Sequence, residues 1–568
     1  MDKIEKVMEL ALRRGFLWPS YEIYGGVSGF YDYGPLGATL KKRLEDKWRG
    51  YYCTREGFLE IFSPSVSPEE VFIASGHVKS FVDPMVECTK CKEVYRANEL
   101  IKEITGVKTD GLSFKELDGL IEEKEVRCPG CNGKLSEVWS YNLMFKTHIG
   151  PGSGKIGYLR PETAQGMFLL YNRLYEFYRK TLPFGVAQLG RAYRNEISPR
   201  QGVIRLREFN QAEVEIFVNP TEKTHPNFPR VAGVKLALVP HDGKNGLVSA
   251  GKAVDKGIIA NQLLTYHLVL VRNFLIDVGI PKEKIRFRQH LKTEMAHYAA
   301  DCWDAEVETK RFSWIEVVGI ADRMDYDLKS HKKMSGADLT AFIQYDESKQ
   351  KVESKFSLDM GVIGPKYKGK AEVILKATAS FGSKERDFFI EHGYVEFDVA
   401  GKKIRLDKTE LTLKEEKKTV TGEKIIPHVI EPSYGIDRII YCVLESAYSE
   451  EGERSYLKLE NSLAPVQVAV FPLVSKEALP RVASEIFDNL KKAGLTTTYD
   501  EDGSIGRRYA RADEIGVPYA VTVDFDSKDK TVTIRERDST DQVRVKIKKL
   551  EKTLTDLLGG NLKFEELL

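Results

Sequence analysis

The stretch Arg191–Phe217, RAYRNEISPRQGVIRLREFNQAEVEIF, alternates like a β-strand, turns, and alternates again, yet it is dense with charge. Side chains in a strand point to opposite faces with a period of two. On that period Val186, Gln188, Gly190, Ala192, Arg194 and Glu196 share one face of the first strand, and Arg205, Arg207, Phe209, Gln211, Glu213 and Glu215 share one face of the second. The opposite face carries Leu189 and Tyr193, then Ile204, Leu206, Ala212, Val214 and Ile216, which reads as packing. SPRQG supplies the connecting loop. A solvated sheet face would produce the same pattern, so the hairpin alone does not define a site.

Three neighbouring stretches shift the balance. YLRPETAQG sets Arg160 and Glu162 before an aromatic-rich helix, FSWIEVVGIADR puts Glu316 inside an apolar strand, and VIEPSYGIDRIIYCV points Glu431 and Ser433 the same way. In the last of these a helix starts after Gly435 with Arg438 in its first turn, a combination suited to polyphosphate. A charge set into an apolar strand costs on the order of several kcal/mol unless it meets a partner or a ligand. Several such residues together point to one site.

The 568 residues give room for more than one core, and 42% hydrophobic with 30% charged residues is ordinary globular usage. No run of roughly 18 apolar residues suggests a membrane span. The start, MDKIEKVMELALRRGFLWP, mixes acids with bases and reads as a short amphipathic helix (Ile4, Val7, Met8, Ala11, Leu12), not a signal peptide. A cytoplasmic protein is expected. Net charge is only +2 from 86 bases and 84 acids, so bulk charge neither supports nor excludes a nucleic-acid partner.

Of the seven cysteines, Cys53, Cys302 and Cys442 are isolated and read as buried thiols. Cys88 and Cys91 (CTKC) and Cys128 and Cys131 (CPGC) form two CxxC knuckles separated by 36 residues. Four thiolates in this spacing suit a structural Zn²⁺ that leaves no open position for chemistry. The intervening segment is longer than in a zinc ribbon, so the knuckles are expected to clip together a lobe at 86–136.

Up to about residue 460 helices mix with alternating strands and no βα repeat shows. Residues 225–312 read as a largely helical insertion, and 320–425 as a further insertion in which TELTLKEEKKTVTGEKIIP forms a charged hairpin. After LENSLAPVQVAV, residues 461–568 read as a compact α/β unit with a final helix from about Val543. GPGSGKI resembles a P-loop but is one residue short and has Ile where Ser or Thr is needed, so it reads as a hairpin turn.

RNE-loop-R-LREF and PSYGIDR resemble the second and third signatures of class II aminoacyl-tRNA synthetases, and GFLEIFSPSVSP resembles the first, dimer-forming one. More narrowly, GFYDYGPLG, RPETAQG, RNEISPR, HYAADCWDAE, WIEVVGIADR and EPSYGIDR together are similar to the homodimeric glycyl-tRNA synthetase family of archaeal and eukaryotic type. The resemblance runs from about residue 10 to the C-terminus. It implies an α+β fold: a class II catalytic domain at 1–460, with an antiparallel six- or seven-stranded sheet, followed by an anticodon-binding domain at 461–568. It implies a homodimer that joins glycine to tRNA(Gly) through an ATP-derived adenylate, with Mg²⁺ bridging the phosphates.

By that resemblance Arg194 is expected on the α-phosphate, Glu196 on the adenine amino group, Phe209 stacked on the base, and Arg438 on the far phosphates. Arg205, with Asn195 and Leu206, would hold the nucleotide through the loop, and Glu316 with Val317 would hold Mg²⁺ or nucleotide. Glycine is expected at Glu162, Glu213, Glu431, Pro432 and Ser433. Asp437 stands where many relatives have glycine and is expected to point elsewhere. Two other readings stay open: a catalytically silent class II module, which would lose the ATP arginines, and a synthetase for another small amino acid.

Overall fold

The computed structural model describes residues 3–109, 111–152, 154–197, 199, 202–291, 299–399, 401–476 and 478–568. His297 and Tyr298 of HYAADCWDAE, Ser198, Arg200 and Gln201 of the hairpin loop, and Ser153 of GPGSGKI lie outside the described residues.

A nine-stranded sheet organises the first unit. Its strands are β1 (Leu59–Glu60), β2 (Phe184–Tyr193), β3 (Glu208–Val218), β4 (Lys235–Val239), β5 (Gly246–Ser249), β6 (Ile285–Gln289), β7 (Asp301–Thr309), β8 (Ser313–Met324) and β9 (His428–Gly435), in the order β5-β4-β6-β7-β8-β9-β3-β2-β1. The six strands from β6 to β2 are antiparallel throughout, and the two parallel pairings, β4 with β6 and β1 with β2, lie toward the edges. Residues 225–312 are thus not largely helical. They supply four strands of this sheet besides one long helix, and the helix dominates the sequence pattern because three of those strands have only four or five residues.

Three helices cover the apolar face: α1 (Pro35–Arg49), α2 (Gln262–Asp277) and α3 (Ile436–Ala447). Pro35 opens α1 with a pre-set φ, and the Asn261 side chain caps α2 by accepting from the Leu264 amide at 2.8 Å. Helix α2 is apolar on nearly every side, as a buried helix must be. Trp48, Tyr52, Phe274 and Tyr434 meet in one aromatic cluster beneath the sheet, with the Tyr52 and Tyr434 hydroxyls 2.7 Å apart. Removing such a ring costs about 3–5 kcal/mol. Tyr434 follows Ser433 in β9, so the strand that anchors the core also carries a residue of the opposite face.

The knuckle lobe has its own small core around Val86, Ile101 and Leu117. GPGSGKI does link two antiparallel strands, Lys146–Ile149 and Lys155–Leu159. C-terminally, a five-stranded sheet with Val468–Pro472 near its centre is flanked by the helices Leu479–Lys492, Ile505–Glu514 and Ile547–Leu558. Val543 lies in the last strand, Gln542–Lys546, because Val543 and Val545 alternate; the helix starts at Ile547.

The second unit is Thr340–Ile425, narrower than the insertion expected at 320–425. Its strands Ala341–Leu358 and Leu411–Ile425 pair antiparallel, so TELTLKEEKKTVTGEKIIP is one arm of a long ribbon and not a hairpin in itself. Ile363, Ile374, Phe389 and Leu406 form its core.

Candidate active site

The register of the sheet decides which polar residues meet. Gln188 pairs with Glu213, Glu213 with Ser433, and Ser433 with Gly319, one row on the face opposite the aromatic cluster. The next rows on that face bring in Gln211 and Phe209 on one side and Glu431, opposite Ala321, on the other. Gly190 belongs to the same face, and a Cβ there would lie 2.1 Å from Nη2 of Arg160. Arg160 itself braces the backbone, donating to the carbonyls of Ser63 (3.0 Å) and Arg191 (2.9 Å).

A cavity of about 210 Å³ opens above Phe209. Arg194, Glu196, Arg205, Leu206, Glu316, Val317, Gln211, Ser433 and Arg438 line it. The Arg194 guanidinium sits 5.3 Å from the ring centres of both Phe81 and Phe209 and donates to the Pro161 carbonyl at 3.3 Å. Arg438, from the first turn of α3, donates to the carbonyls of Ile204 (3.1 Å) and Glu316 (2.9 Å), and lies 3.3 Å from the Glu316 carboxylate. Burial opposes ionisation of Glu316, but Arg438 and Arg194 outweigh it and hold the carboxyl below its ordinary range.

Two details differ from the expectations drawn from the sequence. The β2–β3 ladder ends at the pair Tyr193–Glu208, and residues 202–204 form a 3₁₀ turn, so Arg205 reaches the cavity from a loop and not from a strand face, while Arg207 does not line it and donates to the carbonyls of Glu196 (2.9 Å) and Ser28 (2.7 Å). Asn195 does not line the cavity; its backbone amide donates to the Leu143 carbonyl at 2.6 Å and ties the loop down.

Deeper on the same face lies a carboxylate cluster. Glu213 accepts from the Thr163 amide (2.8 Å), the Thr163 hydroxyl, the Gln211 amide group (2.5 Å) and the Ser433 hydroxyl (2.7 Å). Glu162 accepts from Gln165 at 2.8 Å and faces His77 at 3.4 Å. Arg323 donates to Glu431 (2.8 Å) and to Asp327 (3.0 Å). Burial works against the charge of Glu162, yet His77 and Arg323 hold its carboxyl well below the usual range. Glu213 is pushed up to about 7, first by burial and then by Glu431 and Glu162. Glu215, fully buried next to Glu431, is also raised well above the ordinary carboxylate range, first by burial and then by Glu431.

Pro432 stands between Glu431 and Ser433, so its ring points to the other face and only its backbone is available to a substrate. Sequence reading missed Arg323, Gln165 and Asp327, and it placed Glu215 on the charged face without giving it a role. The signal for Arg323 was a charge at the end of an apolar strand, the same signal that marked Glu316. Asp437 does not point elsewhere as expected: it is buried, is among the residues that line the cavity, and accepts from the Tyr33 hydroxyl and from the Asn210 amide at 2.6 Å.

In the lobe, Cys88 Sγ lies 3.4 Å from Cys131 Sγ and Cys91 Sγ 3.6 Å from Cys128 Sγ, and all four thiols are free. Zn–S arms of about 2.3 Å give a tetrahedron edge of roughly 3.8 Å, so the donor set fits that ion.

The class follows from comparison with known proteins. Residues 153–228 match the tRNA synthetase class II core domain (G, H, P, S and T), and residues 467–557 match the anticodon binding domain family. The solved prolyl-tRNA synthetase of Cryptosporidium parvum, complexed with L-proline and AMP, shares the fold at a TM-score of 0.50 and 11% identity, covering 98% of this chain and 77% of that one. The fold is that of a class II synthetase. The chain is 51% identical to the glycine–tRNA ligase of Methanocaldococcus jannaschii, over 98% of this chain and 99% of that protein. It is 52% identical to that of Thermococcus gammatolerans over 98% and 99%. The chain belongs to the glycine–tRNA ligase family.

Proposed function

We propose that the protein charges tRNA(Gly) with glycine in two steps at this site. A glycine carboxylate oxygen attacks the α-phosphorus of ATP and pyrophosphate leaves, giving glycyl-adenylate. A hydroxyl of the terminal ribose of tRNA then attacks the glycyl carbonyl carbon and AMP leaves. The observation that carries the reading is the adjacency of two chemistries: a cavity lined by three arginines and Phe209, and next to it a buried carboxylate cluster reached through Gln211 and Ser433.

Arg194 takes the α-phosphate and Arg438 the far phosphates, Phe209 stacks on adenine, and Glu196 accepts from its amino group. Such preorganised charge, more than proton transfer, lowers the barrier of an in-line displacement. The attacking carboxylate is already a nucleophile, so no general base is needed. Synthetases of this class use ATP with Mg²⁺; when bound, that ion neutralises phosphate charge and favours the leaving pyrophosphate. The Glu316 carboxylate, beside Arg438, would hold it.

Glu162, Glu213 and Glu431 supply negative charge for the glycine ammonium. Carboxylates suit any amino acid, and a pocket discriminates one methylene by only about 1–3 kcal/mol. Selectivity therefore rests on a stiff wall against a Cβ, and the mutually bonded Glu213, Thr163, Gln211 and Ser433 form one. The C-terminal unit reads the anticodon, and the four lobe cysteines hold a structural Zn²⁺. The exposed apolar residues Trp18, Tyr21, Ile23, Tyr24 and Val27 fit burial in a homodimer. Among the described residues no helix is long and apolar enough to cross a membrane, and the free thiols fit work in the cytoplasm. Incubation with ATP, Mg²⁺, labelled glycine and a tRNA pool tests the reading: label on tRNA(Gly) supports it, and none on any tRNA from folded protein refutes it.

A further inference from the structure

Arg96 belongs to the knuckle lobe, yet its guanidinium reaches the nucleotide cavity. It donates from Nη2 to Glu196 Oε2 at 2.9 Å. Asp83 Oδ2 lies 2.7 Å from the same nitrogen but off the N–H axis, and Glu99 takes Nη1 at 3.0 Å. Arg205, the neighbouring loop cation, stays 3.9 Å from Glu196. The well-directed bond to Glu196 is therefore made from outside the sheet, by a residue 100 positions earlier in the chain.

Local structure explains how Arg96 arrives there. Strands Val82–Glu87 and Val94–Arg96 form a hairpin with Met85 opposite Arg96 and Glu87 opposite Val94. Its turn is the first knuckle: the Cys88 amide donates to the Glu93 carbonyl at 2.8 Å and the Lys92 amide to the Cys88 carbonyl at 3.0 Å. Successive residues of the return strand point to opposite faces. The Tyr95 hydroxyl lies 3.4 Å from Cys128 Sγ, while Arg96 reaches Glu196. One short strand thus touches the cysteine cluster on one side and the nucleotide cavity on the other.

We infer that Arg96 is a positioning residue for base recognition: it fixes the Glu196 carboxylate by one oxygen and leaves the other to accept from the adenine amino group, so that the cysteine-clipped lobe controls nucleotide choice. The inference rests on the assignment of Glu196 to adenine made above. A lobe that only stabilised the fold would not need this bond, and a carboxylate held by a guanidinium is oriented as well as charged.

The experiment compares wild type, Arg96→Gln, Arg96→Lys, Glu196→Gln and the solvent-side control Glu99→Gln. Glycine-dependent exchange of pyrophosphate into nucleotide is measured with ATP and with inosine triphosphate, which has an oxygen in place of the amino group. Calorimetric titration with ATP, without glycine, gives binding apart from turnover, and thermal melts check folding. Arg96→Gln is expected to raise KM for ATP about tenfold with kcat within about twofold, to weaken ATP binding to match, and to lower the ATP-over-inosine preference by a similar factor. Arg96→Lys, which keeps the charge but not the fork, is expected to fall between, and Glu99→Gln to match wild type. If Glu196→Gln loses the preference while both Arg96 variants keep it, the inference is overturned and the adenine assignment stands. If Glu196→Gln keeps the preference, the assignment fails and the inference with it.

Discussion

Glu213→Gln separates charge from shape at the centre of the carboxylate cluster. The wild-type carboxylate receives four hydrogen bonds, from Thr163 (two), Gln211 and Ser433, and its pKa is pushed up to about 7 by burial and by Glu431 and Glu162. An ammonium group needs the ionised form, so kcat/KM for glycine should fall as pH drops through about 7, toward tenfold per unit at the limit. A hydrogen bond to a charged group is worth about 1.5–3 kcal/mol, so at about pH 8 the variant should lose roughly 10- to 150-fold in kcat/KM, mainly through KM. Its pH profile should lose the bend near 7. The stability sign is opposite. With the folded pKa above the ordinary 4.5, the proton-linked stability is fully present below pH 4.5 and is lost as pH rises through about 7. One pKa unit is about 1.4 kcal/mol, so the raised value corresponds to a loss of about 3 kcal/mol at most. Glu213→Gln cannot ionise, and its melting temperature relative to wild type should climb between about pH 5 and 8. Glycine-dependent pyrophosphate exchange from about pH 5.5 to 9 and melts over the same range check both. A bend near 7 that persists in the variant would refute the reasoning.

Other parts of the structure carry their own tests. Arg323→Ala leaves Glu431 and Asp327 buried without their shared cation, so urea unfolding should show a loss of about 3–5 kcal/mol; a loss under about 1 kcal/mol would deny the network its weight. In the C-terminal unit Asp513 bonds Arg535 at 2.9 and 3.0 Å and Arg454 at 2.9 Å. Asp513→Ala should therefore impair tRNA charging several-fold more than glycine-dependent exchange, and equal effects would argue against a division of labour. Native mass spectrometry should find about one Zn²⁺ per chain. Chelation or Cys91→Ala should lower the melting temperature; an unchanged melt in metal-free protein would exclude a structural ion.

The sequence made the sheet face around Gln211, Glu213 and Ser433 legible because strand period is a local property and β2, β3 and β9 hold it over eight residues or more. It failed where the period was carried past its element: Arg194, Glu196, Arg205 and Arg207 were read as strand residues, but the ladder ends at the pair Tyr193–Glu208 and all four lie in the connecting loop. It also failed at 225–312, where the 16-residue helix α2 outweighed strands of four and five residues whose place in the sheet is set by partners far along the chain. The partners of buried charges were invisible for the same reason. Arg323 meets Glu431 across 108 positions and Gln165 meets Asp327 across 162. A charge in an apolar strand signals that a partner exists, and only the register says which one.

The most direct test of the account is ATP–pyrophosphate exchange without tRNA, run separately with each of the twenty amino acids, beside an Arg194→Ala control. Exchange with glycine alone, lost in the variant, is the predicted result. Exchange driven by another amino acid would contradict the pocket argument while leaving the fold intact, and no exchange from folded protein with Mg²⁺ would contradict the activation step itself.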